Sequence, residues 1–101
     1  MNDQLVMIGA GNLAWHLAFA LETEAGIAVE QVYSRNIVNA QRLAKRLYDA
    51  KATNQLDFTE SRASLFLVAV PDNLIGTIAH SLRLPPKARV VHTSGTESLH
   101  T

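Results

Sequence analysis

Three small residues near the start of the chain carry the clearest chemistry: Gly9, Gly11 and Ala14, spaced Gly-x-Gly-x-x-Ala. The apolar run Leu5-Val-Met-Ile8 stops at Gly9 and a helical pattern begins at once. The glycines therefore fall in a turn between strand and helix. Gly9 allows a sharp exit from the strand, and Gly11 removes a Cβ where backbone must approach a pyrophosphate. Ala14 lets the first helical turn sit close to a sheet. A helix starting there presents unpaired N–H groups and a partial positive charge to an anion. Small residues are common in any tight strand-to-helix turn, so the spacing alone is a weak signal. The strand before it and the amphipathic helix after it favour the dinucleotide-binding fingerprint.

A second cluster, Tyr33-Ser34-Arg35-Asn36, follows the next β-type run. Sites that prefer NAD place Asp or Glu there, to accept from the ribose hydroxyls. Sites for NADP lack that carboxylate and offer Arg to the 2′-phosphate. Here there is none, and Glu30 lies too early, inside the strand. Ser34 can donate one hydrogen bond to a phosphate, Arg35 two in a fork, and Asn36 another. This predicts NADP(H) over NAD(H), against the plainer reading of Arg35 as a solvated turn residue.

Other polar groups are weighed in the same way. Asp72 is expected to cap the helix that follows Pro71, and can also reach a ribose. His16, in the first turns of a helix whose N-terminus disfavours the imidazolium form, is read first as a surface or packing histidine. Trp15 and Phe19 are either a contact patch or ordinary core. His92, Thr93 and Ser94 stand where a nicotinamide ring would be exposed, and Thr93 and Ser94 join the expected cofactor-binding set. No orienting partner for His92 or Ser94 can be named, so the catalytic residues stay unassigned. His80 and His100 are expected in solvent, and no His/Asp/Glu spacing suggests a metal site.

The elements that must position these groups follow from periodicity. Strand β1 is expected over 5–8, and helix α1 over about 12–25, with Ala14, Leu17, Ala18 and Leu21 facing the sheet and Gly26 as its stop. Strand β2 covers 28–33. Helix α2 covers about 37–48, with Ser34 or Asn36 as its cap, and 51–53 gives a weak β3. Residues 54–64 read as a loop with a short helical turn. Leu65-Phe-Leu-Val-Ala-Val70 is apolar at every position, as suits a strand covered on both faces, β4. Pro71 ends it, helix α3 has Leu74, Ile75, Ile78, Ala79 and Leu82 on its buried side, and 89–92 forms β5. Alternating strands and helices predict an α/β fold: a Rossmann-type doubly wound parallel sheet of about five strands in a single domain. The polar and glycine clusters all fall at the C-terminal ends of strands, where such sheets bind ligands.

Composition supports a globular chain. Of 101 residues, 48% are hydrophobic and 18% charged, which excludes a disordered tract. Nine Lys and Arg balance nine Asp and Glu, so no charge excess points to nucleic acid or a membrane surface. The absence of cysteine excludes a disulfide framework, a thiolate zinc site and a cysteine nucleophile, and fits a cytoplasmic setting. Residues 5–21 are read as neither signal peptide nor membrane span, since no Lys or Arg precedes them and Asn12 and His16 interrupt them.

With Gly9-Ala-Gly-Asn-Leu-Ala-Trp-His16, Tyr33-Ser-Arg-Asn36, Ala69-Val-Pro-Asp72 and Val91-His-Thr-Ser-Gly95 in view, the chain resembles a known group. It is similar to the N-terminal NADP-binding domain of the deazaflavin-dependent NADP oxidoreductase-like superfamily. Within that group it looks most like bacterial Rossmann-like proteins whose C-terminal helical domain is of unknown function. Pyrroline-carboxylate reductases and hydroxyacid dehydrogenases related to phosphogluconate dehydrogenase are more distant relatives. The resemblance implies that Gly9, Ala10, Gly11, Asn12 and Leu13 hold the pyrophosphate, that Ser34, Arg35 and Asn36 meet the 2′-phosphate, and that Val70, Pro71 and Asp72 lie beside the nicotinamide ribose. Full members continue into a helical domain that closes the active site and often makes the dimer.

The expectation is thus a Rossmann domain over 1–101 that positions NADP(H) for hydride transfer to a small molecule, with the family's C-terminal substrate and dimer domain absent and any homodimer formed through it. No nucleic-acid or membrane partner is expected. A non-catalytic nucleotide-binding or redox-sensing module is the alternative. The glycine fingerprint disfavours a flavodoxin-like or receiver-type domain.

Overall fold

The computed structural model describes residues 4–93. Its elements are β1 (Gln4–Ile8), α1 (Asn12–Thr23), β2 (Ala28–Tyr33), α2 (Ile37–Arg46), β3 (Lys51–Thr53), β4 (Leu65–Ala69), α3 (Asp72–Ser81) and β5 (Arg89–Thr93). All five strands join one sheet in the order β3-β2-β1-β4-β5, and every pairing is parallel. The chain steps from β1 outward to β3, then crosses back to start β4 on the other side of β1. The order therefore reverses between β1 and β4, and the crevice outside their C-terminal ends is the place for a ligand.

The side chains explain why the sheet is covered on both faces. Leu5 and Met7 of β1 point to one side, with Val29, Val32 and Leu67, and pack against Ala14 and Ala18 of α1 and Ala40, Leu43 and Ala44 of α2. Val6 and Ile8 point to the other side, with Phe66 and Val68, under Ile78 of α3 and Phe58 and Ala63 of the β3–β4 crossover. Successive strand residues alternate in direction, so an all-apolar run fills both layers. Ala14 and Ala18 have no exposed surface; their size lets α1 lie close on the sheet.

Several boundaries differ from the sequence reading. Helix α1 ends at Thr23, and Gly26 lies beyond it in the turn to β2, with φ of +68°. Helix α2 ends at Arg46 because Leu47 turns extended, with its side chain buried, and leaves Tyr48 94% exposed. Strand β4 stops at Ala69. Residues 54–64 hold no helix but one hydrogen-bonded turn, in which the Ser61 N–H donates to the Phe58 carbonyl at 3.0 Å. Asp57 Oδ1 accepts from the backbone N–H and hydroxyl of Thr59, and Phe58 is buried with its ring 5.4 Å from that of Phe66. β2 carries one extra residue against β1: Leu5 pairs with Val29 and Val6 with Gln31, leaving Glu30 between them. The Ser61 hydroxyl donates to the Glu30 carboxylate, so this acid serves the crossover and not the end of β2.

Candidate functional site

The end of β1 is built by contacts to both neighbouring strands. The Gly9 N–H donates to the Tyr33 carbonyl at 2.8 Å, tying β1 to the end of β2. Gly9 has φ of +128°, and a Cβ there would overlap the Ala69 carbonyl oxygen and stand 3.2 Å from Val70 Cγ1. This residue therefore does more than turn the chain: it lets the ends of β1 and β4 close on each other. At Gly11 the situation reverses, with no heavy atom within 4 Å of the position a Cβ would take. Gly11 is the N-cap of α1 and has no side chain to satisfy the first N–H groups, and the first turn holds no acidic residue. A positive helix end thus opens onto free space, which suits a phosphate.

The β2 turn is ordered by its own side chains. Ser34 N–H donates to the Thr53 carbonyl at 3.1 Å, and Ser34 Oγ accepts from the Asn36 N–H at 3.2 Å. Asn36 is the N-cap of α2, its Oδ1 accepting from the Val38 N–H at 3.0 Å. The cap assignment is therefore right for Asn36. The Ser34 hydroxyl proton and the Asn36 amide protons are left for another acceptor. Arg35 is exposed and its guanidinium has no ion-pair or hydrogen-bond partner among the described residues.

Gly9, Ala10, Gly11, Ser34, Arg35, Asn36, Val70 and Pro71 line one cavity of about 270 Å³ at the C-terminal strand ends. The sequence reading had drawn these eight residues from three separate turns. Others lie elsewhere. Asn12 is exposed outside the cavity lining, and Leu13 packs its side chain against the core; both lie in the first turn of α1. The N-cap of α3 is Pro71, not Asp72, because the helix already begins at Asp72. Thr93 is the last residue of β5, paired with Ala69, and Ser94 lies outside the described residues, as does His100. His16 is exposed, and His92 borders a separate groove of about 240 Å³ between α3 and β5. Trp15 and Phe19 form a tilted ring pair at 5.9 Å, half-buried against the core.

Leu74, Thr77 and Ile78 of α3 and Asn39 of α2 also line the cavity, and none was singled out for binding from the sequence. The signal available was spacing: 74, 77 and 78 fall on one helix face, and 39 lies one turn after the Asn36 cap. A larger cavity, about 470 Å³, opens at the N-terminal strand ends. Its lining includes Glu30, Asp49, Asp57 and Glu60 against one cation, Lys51, so its charge would repel a phosphate. Among the described residues no group of three His, Cys, Asp or Glu could hold a metal ion. None of their helices is long and apolar enough to cross a membrane.

The Rossmann-like domain family matches residues 3–100. The chain belongs to that family. A protein of Bacteroides fragilis, provisionally described as an NADP oxidoreductase, is 34% identical with a TM-score of 0.82, and the match covers 94% of this chain and 37% of that one. A protein of Thermotoga maritima is 29% identical with a TM-score of 0.66, covering 89% and 32%. Prephenate dehydrogenase from A. aeolicus, solved with hydroxyphenyl propionate and NAD+, shares the fold at 14% identity and a TM-score of 0.76, covering 93% and 34%. No curated protein sequence matches. The chain spans about a third of the length of these solved structures. The family and the glycine turn at the strand reversal together support a dinucleotide-binding Rossmann domain.

Proposed function

We propose that this chain is the NADP(H)-binding domain of an oxidoreductase of the deazaflavin-dependent NADP oxidoreductase-like superfamily. The observation that carries the reading is the single cavity in which the open Gly11 turn meets the carboxylate-free Ser34-Arg35-Asn36 turn. In this reading a nicotinamide dinucleotide phosphate sets its pyrophosphate beside Gly9, Ala10, Gly11 and the start of α1, its 2′-phosphate beside Ser34, Arg35 and Asn36, and its nicotinamide half toward Val70 and Pro71, with Asp72, Thr93 and Ser94 assigned to that half from the sequence alone. When bound, the reduced nicotinamide supplies a hydride. The chain's residues bind and orient. Neither carboxylate nor histidine lines the described cavity, so proton transfer and substrate recognition belong, in this proposal, to a further helical domain that also forms a homodimer. A small carbonyl or imine is the substrate class, the setting is cytoplasmic, and nucleic acid and membrane have no part.

A charge-assisted contact from Arg35 is worth about 1.5–3 kcal/mol, roughly 10- to 150-fold in affinity. Because the guanidinium is exposed, screening places the effect near the lower end. Calorimetric titration should show NADPH binding more tightly than NADH, and Arg35→Ala should lose affinity for NADPH selectively. Equal losses for the two cofactors would sink the NADP assignment. A non-catalytic nucleotide-binding module is favoured by the same lack of carboxylate or histidine among the described residues of the cavity. NADPH oxidation by the full-length protein with candidate carbonyls or imines separates the two readings.

A further inference from the structure

Two polar side chains at the cavity are not accounted for by phosphate binding. Asn39 lines it from the first turn of α2 and Thr77 from the middle of α3. The backbone N–H of Asn39 donates to the Asn36 carbonyl at 3.0 Å, but its side-chain amide bonds no described residue. A helical threonine often returns its hydroxyl to the carbonyl four residues back. Thr23 does so, its Oγ1 donating to the Phe19 carbonyl at 2.7 Å, whereas Thr77 makes no such bond. Both side chains are exposed, and both border an apolar wall formed by Leu74 and Ile78.

A cavity of about 270 Å³ is small beside the roughly 300–1,000 Å³ that encloses a drug-sized ligand, so it takes one portion of a dinucleotide. Apolar walls with donor and acceptor groups at the edge suit a flat heteroaromatic ring. Resting on the dinucleotide reading above, we infer that Asn39 and Thr77 read the edge of the cofactor's base and make the site selective for adenine. A carboxamide presents an acceptor and a donor side by side, the complement of adenine's exocyclic amino group and neighbouring ring nitrogen. On the N6/N7 edge hypoxanthine presents two acceptors, O6 and N7, and the Asn39 carboxamide, in either orientation, can donate to only one while its oxygen faces the other. The Thr77 hydroxyl both donates and accepts, so it strengthens either base without choosing between them.

The test compares NADPH with its reduced hypoxanthine analogue, titrated against the chain by nicotinamide fluorescence. The wild-type comparison requires no variant to fold. It should favour adenine by a factor of roughly 2 to 12, the range for one net hydrogen bond. Asn39→Ala should erase the preference by weakening NADPH more than the analogue, and Thr77→Val should weaken both cofactors alike; thermal melts check that both variants fold. Equal wild-type affinity for the two cofactors, or a preference that survives Asn39→Ala, would overturn the base-reading role and leave the dinucleotide site standing. Binding of neither cofactor would remove both.

Discussion

Gly9→Ala and Gly11→Ala add the same methyl group two residues apart, and the structure predicts opposite outcomes. At Gly9 the backbone sits at φ of +128° and the added Cβ would collide with the Ala69 carbonyl oxygen. An L-residue in that region costs about 1–3 kcal/mol, and forcing extra volume into packed surroundings costs about 1–3 kcal/mol more. The total, roughly 2–6 kcal/mol, is a large part of the ~5–15 kcal/mol that holds a domain folded. At about 4–8 °C per kcal/mol for a domain of this size, thermal unfolding followed by circular dichroism should show a drop of about 8 °C or more, or no folded state. At Gly11, φ is −85° and the added Cβ meets nothing. Replacing an N-cap glycine by alanine costs about 1 kcal/mol at most, so Gly11→Ala should fold. Its effect should appear in dinucleotide affinity, since the methyl occupies the space reserved for a pyrophosphate. A Gly9→Ala protein that melts like wild type would refute the close β1–β4 contact. A Gly11→Ala protein that binds NADPH undiminished would refute the cradle.

Two further predictions concern the loops. Asn36→Ala removes the side chain that accepts from the Val38 N–H and should destabilise the cofactor-free protein by about 0.5–2 kcal/mol, read in a chemical or thermal melt. Asp57 has its carboxyl held below the usual range, first by the Thr59 backbone N–H, then by the Thr59 hydroxyl, with Arg83 adding a weaker pull. A depressed folded-state pKa contributes stability that is full above the unfolded value near 4 and is lost as pH falls through the folded value. Unfolding followed from pH 6 to pH 2 should therefore show a loss below about pH 4 that is smaller in Asp57→Asn; an identical acid profile in the two proteins would contradict the assignment.

The fold was legible because its signals are local. The all-apolar β4, the glycine turn after β1 and the amphipathic α2 each state their role within a few residues. Helix ends were less so: α2 stops at Arg46 since Leu47 must reach the core, a demand set by the sheet. Phe58 lies in a stretch read as a loop, and only the crossover over Phe66 gives it a place. At the site, Ser34, Arg35, Asn36 and the first glycines were readable from their turns. Leu74 and Ile78 were read as core alone, and Asn39 and Thr77 were given no role. Their part in the cavity depends on how α2 and α3 flank it, which no short stretch of sequence encodes. The steric need for glycine at position 9 likewise comes from Ala69 and Val70, sixty residues away in the chain.

The most direct test of the central claim is an amide-resolved NMR titration of the chain with NADPH. The account predicts saturable shifts concentrated at Gly9 to Leu13 and Ser34 to Asn36, with smaller ones at Val70. Shifts centred on the acidic cavity around Glu30 and Asp57, or none at millimolar NADPH, would contradict it.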